Sequence, residues 1–225
     1  MNRIEPRQES TDVWARRITY VLSVFMRWIS AHWLLLVNLF VGLYLGLPIL
    51  APVLMGMGYA RVANLIYLIF KPLCHQLPER SFFLLGRQWV YSYDQLSALL
   101  RGIEVPARYV GNPEIGFKTA VCQRDVAIYL FVFLAGILFV GLRGWLKPLP
   151  FKWFAVLITP MAVDGLGQLF GLWSSTWWSR LFTGGLFGMA CVWLAYPYLE
   201  QGMSEVRRET GTALHDWEAR WVHKT

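Results

Sequence analysis

The chain has 225 residues, of which 56% are hydrophobic and 16% charged, and its formal net charge at pH 7 is +7. A soluble domain usually carries about 25% charged residues, so this composition excludes an ordinary soluble fold. Three cysteines are too few for a secreted disulfide framework. The basic residues flank long apolar blocks instead of forming a continuous basic surface. The composition therefore predicts an integral membrane protein and excludes nucleic acid as a partner.

Four apolar stretches approach the length of about 20 residues that a helix needs to cross a bilayer core of about 30 Å. In chain order they are Ala31–Leu54, Val126–Leu142, Trp153–Gly171 and Leu181–Leu199. They predict an all-α fold, an integral membrane helical bundle of about four transmembrane helices over residues 31–199. Amphipathic cytoplasmic segments are expected before it, over residues 1–30, and after it, as a tail helix over residues 200–225.

The distribution of lysine and arginine predicts how these helices are oriented in the cell membrane. Five basic residues precede the first predicted span, three lie between the second and third spans, and four follow the fourth. Both termini are therefore expected in the cytoplasm, which places the long connection, residues 55–125, outside. Its short apolar stretch Tyr59–Phe70 is expected to be a re-entrant or interfacial helix, and a spanning helix there is the rival topology.

The expected tail helix carries one apolar stripe at steps of three and four residues. Its members are Met203, Val206, Thr210, Leu214, Trp217 and Trp221. Such a stripe is typical of a helix that lies on the membrane surface, or of one that docks onto a partner subunit. The expected partners are therefore the lipid bilayer and either a second copy of the chain or another subunit of a membrane complex.

The long connection holds the side chains that best suit a metal ion. Cys74 and His75 are adjacent, and Cys122 and Asp125 are three residues apart. Thiolate, imidazole and carboxylate groups together form a ligand set that zinc accepts. Cys74 and His75 can reach one ion only if the backbone turns where they stand. Two alternatives stay open, namely a disulfide between Cys74 and Cys122 and a pair of buried free thiols.

A long helix is predicted to carry two of these candidate ligands. Asn112 can cap its first turn, and Pro113 suits its first position. Running to Leu142, this helix would be about 45 Å long at about 1.5 Å per residue, which exceeds the bilayer core. Cys122 and Asp125 would then share one face of the helix at the outer border of the membrane.

The third predicted span contains the one acidic residue between positions 126 and 199, Asp164, with Gln168 one turn away on the same face. Ionisable groups at that depth are costly and usually face a polar cavity or a charged partner. Arg124 and Arg180 are the candidate partners of Asp164. The alternative is a structural ion pair or hydrogen bond that holds two helices together.

Several of these residues stand in motifs that resemble a prokaryotic family of predicted membrane proteins, known as domain of unknown function 2085. The motifs are Cys-His-Gln-Leu-Pro-Glu-Arg-Ser from Cys74, Cys-Gln-Arg-Asp-Val-Ala-Ile-Tyr from Cys122, Asp-Gly-x-x-Gln from Asp164 and Arg-x-x-Thr-Gly from Arg180. Many members carry Cys-x-Arg-Cys where this chain has Asp125, so the fourth candidate ligand is a carboxylate here. The family has no established activity, so the resemblance supports the candidate site and implies no reaction.

Three functions are compatible with this sequence. The first is a membrane metalloprotein with zinc or another divalent metal at an outward-facing site, with Asp164 or Glu79 as candidate catalytic acid/base groups. The second is a small oligomeric transporter for an anionic substrate, and the third is an accessory subunit of a larger membrane complex. The sequence leaves open whether the protein is an enzyme. A polar pocket beside the metal site would be lined by Gln76, Arg80, Arg124, Gln168 and Arg180.

Overall fold

The computed structural model describes residues 6–222, and it places most of them in six helices. The helices are α1 (Pro6–Gly56), α2 (Ala60–Phe70), α3 (Tyr93–Leu99), α4 (Gln123–Leu142), α5 (Phe151–Leu169) and α6 (Trp177–Val222). Three strands of two or three residues, β1 (Phe83–Leu84), β2 (Gly111–Asn112) and β3 (Gly116–Lys118), form an antiparallel sheet in the order β1-β3-β2. The predicted all-α fold class is confirmed.

Some residues used to predict the orientation lie outside the described part of the chain. Residues 1–5 and 223–225 are not described, and neither are the side chains of residues 6–13, 16 and 220–222. The arginines at positions 3, 7 and 16 and the last member of the tail stripe, Trp221, belong to these.

Among the described residues, three helices are long and apolar enough to cross a membrane. They are Arg17–Gly56 within α1, the whole of α4, and Trp177–Ala219 within α6. Helix α5 forms over the third predicted span with 19 residues, but its polar side chains, Asp164 among them, lower its mean hydropathy. Helix α2 has 11 residues, or about 16 Å at about 1.5 Å per residue, and is too short to span. The short helix predicted at Tyr59–Phe70 is therefore confirmed, and the rival spanning helix does not form.

The prediction that a long helix begins at Asn112 is wrong. Asn112 ends β2, and its side-chain oxygen accepts hydrogen bonds from the backbone N–H groups of Glu114 and Ile115, both at 2.9 Å. The chain then reverses into β3 through Gly116, whose φ of 91° is accessible to glycine. Asn112 thus caps a hairpin turn, as short polar side chains often do, and α4 begins only at Gln123.

The chain divides into two compact units, one of residues 1–37 with 196–225 and one of residues 38–195. In the first unit, the N-terminal part of α1 and the C-terminal part of α6 pack antiparallel. The rings of Tyr20 and Trp217 lie 4.4 Å apart, and the Trp33 indole N–H donates to Glu200 at 2.9 Å. The half-buried face of α6 in this unit carries Met203, Val206, Thr210, Leu214 and Trp217. This face is the predicted tail stripe, and the chain's own N-terminal helix contacts it.

In the second unit, a proline inside α1 exposes a carbonyl group that anchors the start of α4. Pro52 has no N–H, so the carbonyl of Pro48, four residues earlier, has no helical hydrogen-bond partner. The backbone N–H of Ala120 donates to this carbonyl at 3.1 Å. The connection from β3 to α4 is therefore fixed against α1.

Two clusters of buried apolar residues lie in the described part of the second unit. The first joins α1, α2 and α4 around Cys74, and its other buried members are Leu45, Ala51, Ala63, Ile66, Tyr67, Phe70, Ala120, Val121 and Val126. The second lies within the long connection and consists of Phe83, Tyr91, Leu96, Val105 and Ile115. The long connection is therefore a folded element with a core of its own, and it presents fixed side chains to the ends of the helices.

Helices α4 and α6 approach closely where α6 carries glycine. Gly184 and Gly188 have the spacing of small residues that permits close helix packing. A Cβ atom added at Gly188 would lie 2.5 Å from the Ile128 carbonyl oxygen, and one added at Gly184 would lie 2.9 Å from the Arg124 carbonyl oxygen. The two backbones are therefore in direct contact at these positions.

We expect Gly188→Ala to lower the thermal unfolding midpoint of the purified protein, because overpacking of this kind typically costs about 1–3 kcal/mol. Gly46→Ala in α1 is the matched control, since an added Cβ there meets nothing within 4 Å. Alanine at that position is expected to be neutral or to stabilise the helix by up to about 1 kcal/mol. Equal midpoints for the two variants would contradict the close approach of α4 and α6.

Candidate functional site

Cys74 and Cys122 meet because the end of α2 lies beside the beginning of α4. Cys74 closes the turn after α2, where its backbone N–H donates to the Phe70 carbonyl at 3.0 Å. Cys122 is the N-cap residue of α4. Its backbone N–H donates to the Sγ atom of Cys74 at 3.2 Å. The hydrogen bond between Ala120 and Pro48 holds the segment that carries Cys122 in this place.

Asp125 completes a group of three ligand-type side chains, called here the thiol–carboxylate group. It stands in the first turn of α4, and the Cys122 thiol donates to its Oδ2 atom at 3.2 Å. One ligand atom from each of Cys74, Cys122 and Asp125 lies within 4.8 Å of the other two. Both cysteines are free. The structure thus brings together three of the four residues predicted as metal ligands.

The fourth predicted ligand, His75, is exposed and lies outside the group. The backbone does turn at this point, since the φ of Gln76 is 54°. The buried Lys118 ammonium fixes the turn by donating to the Gln76 carbonyl and, at 3.3 Å, to the Ala107 carbonyl. The turn buries Cys74 and leaves His75 at the surface. Burial also lowers the pKa of Lys118 to about 8.

The two cysteines differ in their affinity for a proton. Hydrogen bonding with Cys122 lowers the pKa of Cys74, and a backbone hydrogen bond at Gln76 acts in the same direction, whereas burial opposes both. The hydrogen bond with Cys74, burial and the nearby Asp125 carboxylate raise the pKa of Cys122. The Cys74 thiol therefore loses its proton more readily than the Cys122 thiol, and the thiolate is the form that binds metal ions.

Asp164 is 8% exposed and is held by residues from α4, α6 and the loop before α6. Its Oδ2 atom forms an ion pair with Arg124. Its Oδ1 atom accepts hydrogen bonds from the hydroxyl groups of Ser175, at 2.7 Å, and Ser179, at 2.9 Å. Asp164 is thus a connection between helices, which agrees with the structural alternative considered from the sequence.

Arg180, the other predicted partner of Asp164, donates instead to a neutral amide. Its Nη1 atom lies 2.9 Å from the Oε1 atom of Gln123, which is 0% exposed. The Nε2 atom of Gln123 donates to the Ser81 carbonyl at 3.0 Å. Gln123 therefore connects the start of α4 to α6 and to the chain beyond the short 3-10 helix Pro78–Arg80.

Sequence reasoning did not select Gln123, Ser175 or Ser179 as site residues. Gln123 stands inside the Cys-Gln-Arg-Asp motif, and the serines stand in or beside a short polar loop between two apolar helices. Those two patterns were the available signals. Neither pattern indicates a site by itself, because neutral polar residues, unlike charges, do not stand out in an apolar sequence.

The remaining predicted pocket residues do not form one site with the thiol–carboxylate group. Gln76 uses its side-chain amide to donate to the Tyr67 carbonyl at 2.8 Å. Arg80 and Gln168 are half-buried. Glu79 lines a separate cleft beside Arg180. The predicted pocket is therefore divided into a ligand group at Cys74, a closed ion pair at Asp164 and an open cleft at Arg180.

Comparison with known protein families supports the resemblance that the motifs indicate. Residues 115–194, somewhat more than a third of the chain, match the model of a family described as "Predicted membrane protein (DUF2085)". The resemblance to this family is confirmed. The matched range includes Cys122, Asp125, Asp164 and Arg180 and does not reach Cys74.

An archaeal protein is similar over a larger part of the chain. An uncharacterized protein of Methanocaldococcus jannaschii is 29% identical over 134 residues, which is 59% of this chain and 67% of that protein. No solved structure matches this chain. The comparisons therefore identify a family of membrane proteins and assign no activity to it.

We expect Asp164→Asn to destabilise the protein by about 1.5–3 kcal/mol, because it leaves the half-buried Arg124 charge without its counterion. The measurement is the thermal or denaturant midpoint in detergent. Glu205→Gln is the matched control, since the Glu205 side chain is 62% exposed and that of its partner Arg208 is 76% exposed. Exposed pairs of this kind contribute less than about 1 kcal/mol. Similar losses in the two variants would mean that the Asp164 pair does not hold the helices.

Proposed function

We propose that this membrane protein binds a divalent metal ion, zinc or a similar ion, through Cys74, Cys122 and Asp125. The observation that carries the proposal is the approach of three ligand atoms to within 4.8 Å of one another. The family that the chain resembles consists of membrane proteins without an assigned activity. The proposal therefore rests on the residues of this chain.

The donor set fits zinc in type and in spacing. Zinc–sulfur bonds are about 2.3 Å long and the geometry is tetrahedral, so two ligating sulfurs lie about 3.8 Å apart. The ligand atoms of the thiol–carboxylate group satisfy this spacing after small side-chain movements. A zinc ion held by three protein ligands keeps a fourth position for water or substrate, where it supplies Lewis-acid activation.

The local structure prepares these residues to hold a cation. Asp125 stands in the first turn of α4, where the helix dipole stabilises the negative charge of its carboxylate. Cys74 is buried in the apolar cluster at the end of α2, which limits access of water to its sulfur. Asp164 supports this arrangement indirectly. It pairs with Arg124, the residue before Asp125, and so helps to hold the first turn of α4 in place.

Metal content of the purified protein tests this proposal directly. We expect about one zinc ion per chain after zinc loading and desalting. Cys74→Ser, Cys122→Ser and Asp125→Asn should each weaken binding by more than the roughly 10–100-fold that loss of a supporting outer residue costs. Mass spectrometry of metal content and a competition titration with a chelator measure the two quantities.

Two variants serve as controls in the same experiment. Cys191→Ser removes the third free cysteine, which belongs to α6 and lies outside the group. His75→Ala removes an exposed imidazole outside the group, and both variants should bind zinc like the unmodified chain. An unmodified protein without zinc after loading, with Cys74 and Cys122 joined in a disulfide on non-reducing peptide mapping, would overturn the proposal.

In this proposal the thiol–carboxylate group faces the outside of the cell. The Ser30 carbonyl near the start of α1 accepts a hydrogen bond from Arg207 near the end of α6. Because these two parts of the chain lie together, an even number of membrane crossings must join them. Helices α1, α4, α5 and α6 supply four crossings, and the basic flanks then favour cytoplasmic termini.

Cysteine labelling in intact cells tests this orientation. A membrane-impermeant maleimide should label Arg108→Cys, in the exposed surface of the long connection, above the level of the unmodified chain. It should label Ser204→Cys, in the exposed face of the tail, only after the membrane is broken. The reverse pattern would place the group on the cytoplasmic side, and labelling of both positions in intact cells would refute cytoplasmic termini.

A further inference from the structure

A cleft of about 520 Å³ lies between α3 and the N-terminal end of α6. Glu79, Asp94, Ser175, Thr176, Trp177 and Arg180 are among its lining residues. The wall contributed by α3 is ordered by a capping box, in which Ser92 and Gln95 exchange backbone and side-chain hydrogen bonds at 2.8 and 3.2 Å. Clefts of about 300–1,000 Å³ are typical of sites for small molecules.

Arg180 lines this cleft and forms no direct ion pair among the described residues. Only 7% of its surface is exposed, and its Nη1 atom is used by the neutral amide of Gln123. Its Nε atom is buried with no hydrogen-bond partner in the described structure. A buried guanidinium without a direct ion pair or a full set of acceptors is costly, so an anion bound beside it would lower its energy.

The N-terminal end of α6 adds positive potential on the same side of the cleft. Thr176 caps this end, since its hydroxyl accepts from the backbone N–H of Ser179 at 3.2 Å and its carbonyl accepts from that of Arg180 at 3.1 Å. The positive end of the helix dipole therefore lies beside Arg180. A guanidinium and a helix N-terminus that converge in this way bind carboxylate and phosphate groups.

Two carboxylates restrict which anions fit. Glu79 and Asp94 line the same cleft, and they would repel a ligand that is negatively charged throughout. They would accept hydrogen bonds from hydroxyl or ammonium groups placed away from the anionic end. The lining thus suits a molecule with one anionic group and separate donor groups.

We propose that this cleft binds a small polar molecule through a carboxylate or phosphate group held by Arg180 and the N-terminus of α6. The source of that group is either a soluble metabolite or the headgroup of a phospholipid. The site shares no ligand residue with the thiol–carboxylate group. It therefore stands whether or not Cys74 and Cys122 bind a metal.

Calorimetric titration of the purified full-length protein with inorganic phosphate, and separately with acetate, tests the site. We expect saturable binding that Arg180→Gln weakens about tenfold or more, because a hydrogen bond to a charged group contributes about 1.5–3 kcal/mol. Glu79→Gln should strengthen phosphate binding, since it removes a like charge from the cleft. Protein stripped of metal with a chelator should bind phosphate with unchanged affinity, which separates this site from the proposed metal site.

Arg108→Gln is the matched control, because Arg108 is an exposed arginine of the long connection outside the cleft. An equal loss in Arg108→Gln and Arg180→Gln, or no saturable binding by the unmodified chain, would overturn the proposal. If Arg180→Gln does not fold, an unchanged phosphate affinity in Glu79→Gln overturns it instead. Loss of phosphate binding when phosphatidylethanolamine, which carries no net charge, is added to the detergent-purified protein would identify a lipid headgroup as the source, and unchanged binding would identify a soluble molecule.

Discussion

The first turn of α4 connects the parts of the second unit because its successive side chains face different neighbours. Successive residues of a helix are rotated by about 100°, so one turn can contact several partners at once. Cys122 and Asp125 belong to the thiol–carboxylate group. The side chain of Gln123 forms hydrogen bonds with the Ser81 carbonyl and with Arg180, and Arg124 pairs with Asp164. A displacement of this turn would break all of these interactions together, so its position decides the geometry of the site.

Helix-interior prolines help to set that position. Each proline leaves one helical carbonyl without its usual donor, and a buried carbonyl needs another. The carbonyl freed by Pro52 accepts from Ala120, two residues before the N-cap of α4. The carbonyl of Trp193, freed by Pro197 in α6, accepts at 3.3 Å from the loop between α4 and α5. The segments before and after α4 are therefore each held by a hydrogen bond to a helix carbonyl that would be occupied in a helix without proline.

The helices could be predicted from the sequence because long apolar stretches have few alternatives in a membrane. The fold of the long connection could not, because Asn112 followed by proline suits a turn as well as a helix start. Burial of Ile115 in a local cluster decides for the turn. In the site, residue spacing predicted that Cys122 and Asp125, the candidate ligands at the start of α4, lie close together. The exclusion of His75 depends on the φ of Gln76 and on the bonds of Lys118, which are tertiary effects that spacing does not encode.

Three positive charges of this region, at Arg124, Lys118 and Arg180, are compensated to different degrees. Arg124 has a carboxylate, Asp164. Lys118 donates to backbone carbonyls, and burial lowers its pKa to about 8, so a lysine can reduce the cost of burial by releasing its proton. Arg180 forms no direct ion pair among the described residues, its hydrogen-bond partner Gln123 is a neutral amide, and a guanidinium remains protonated at any physiological pH. An arginine that keeps its charge beside an open cleft is most simply explained by an anion that enters the cleft.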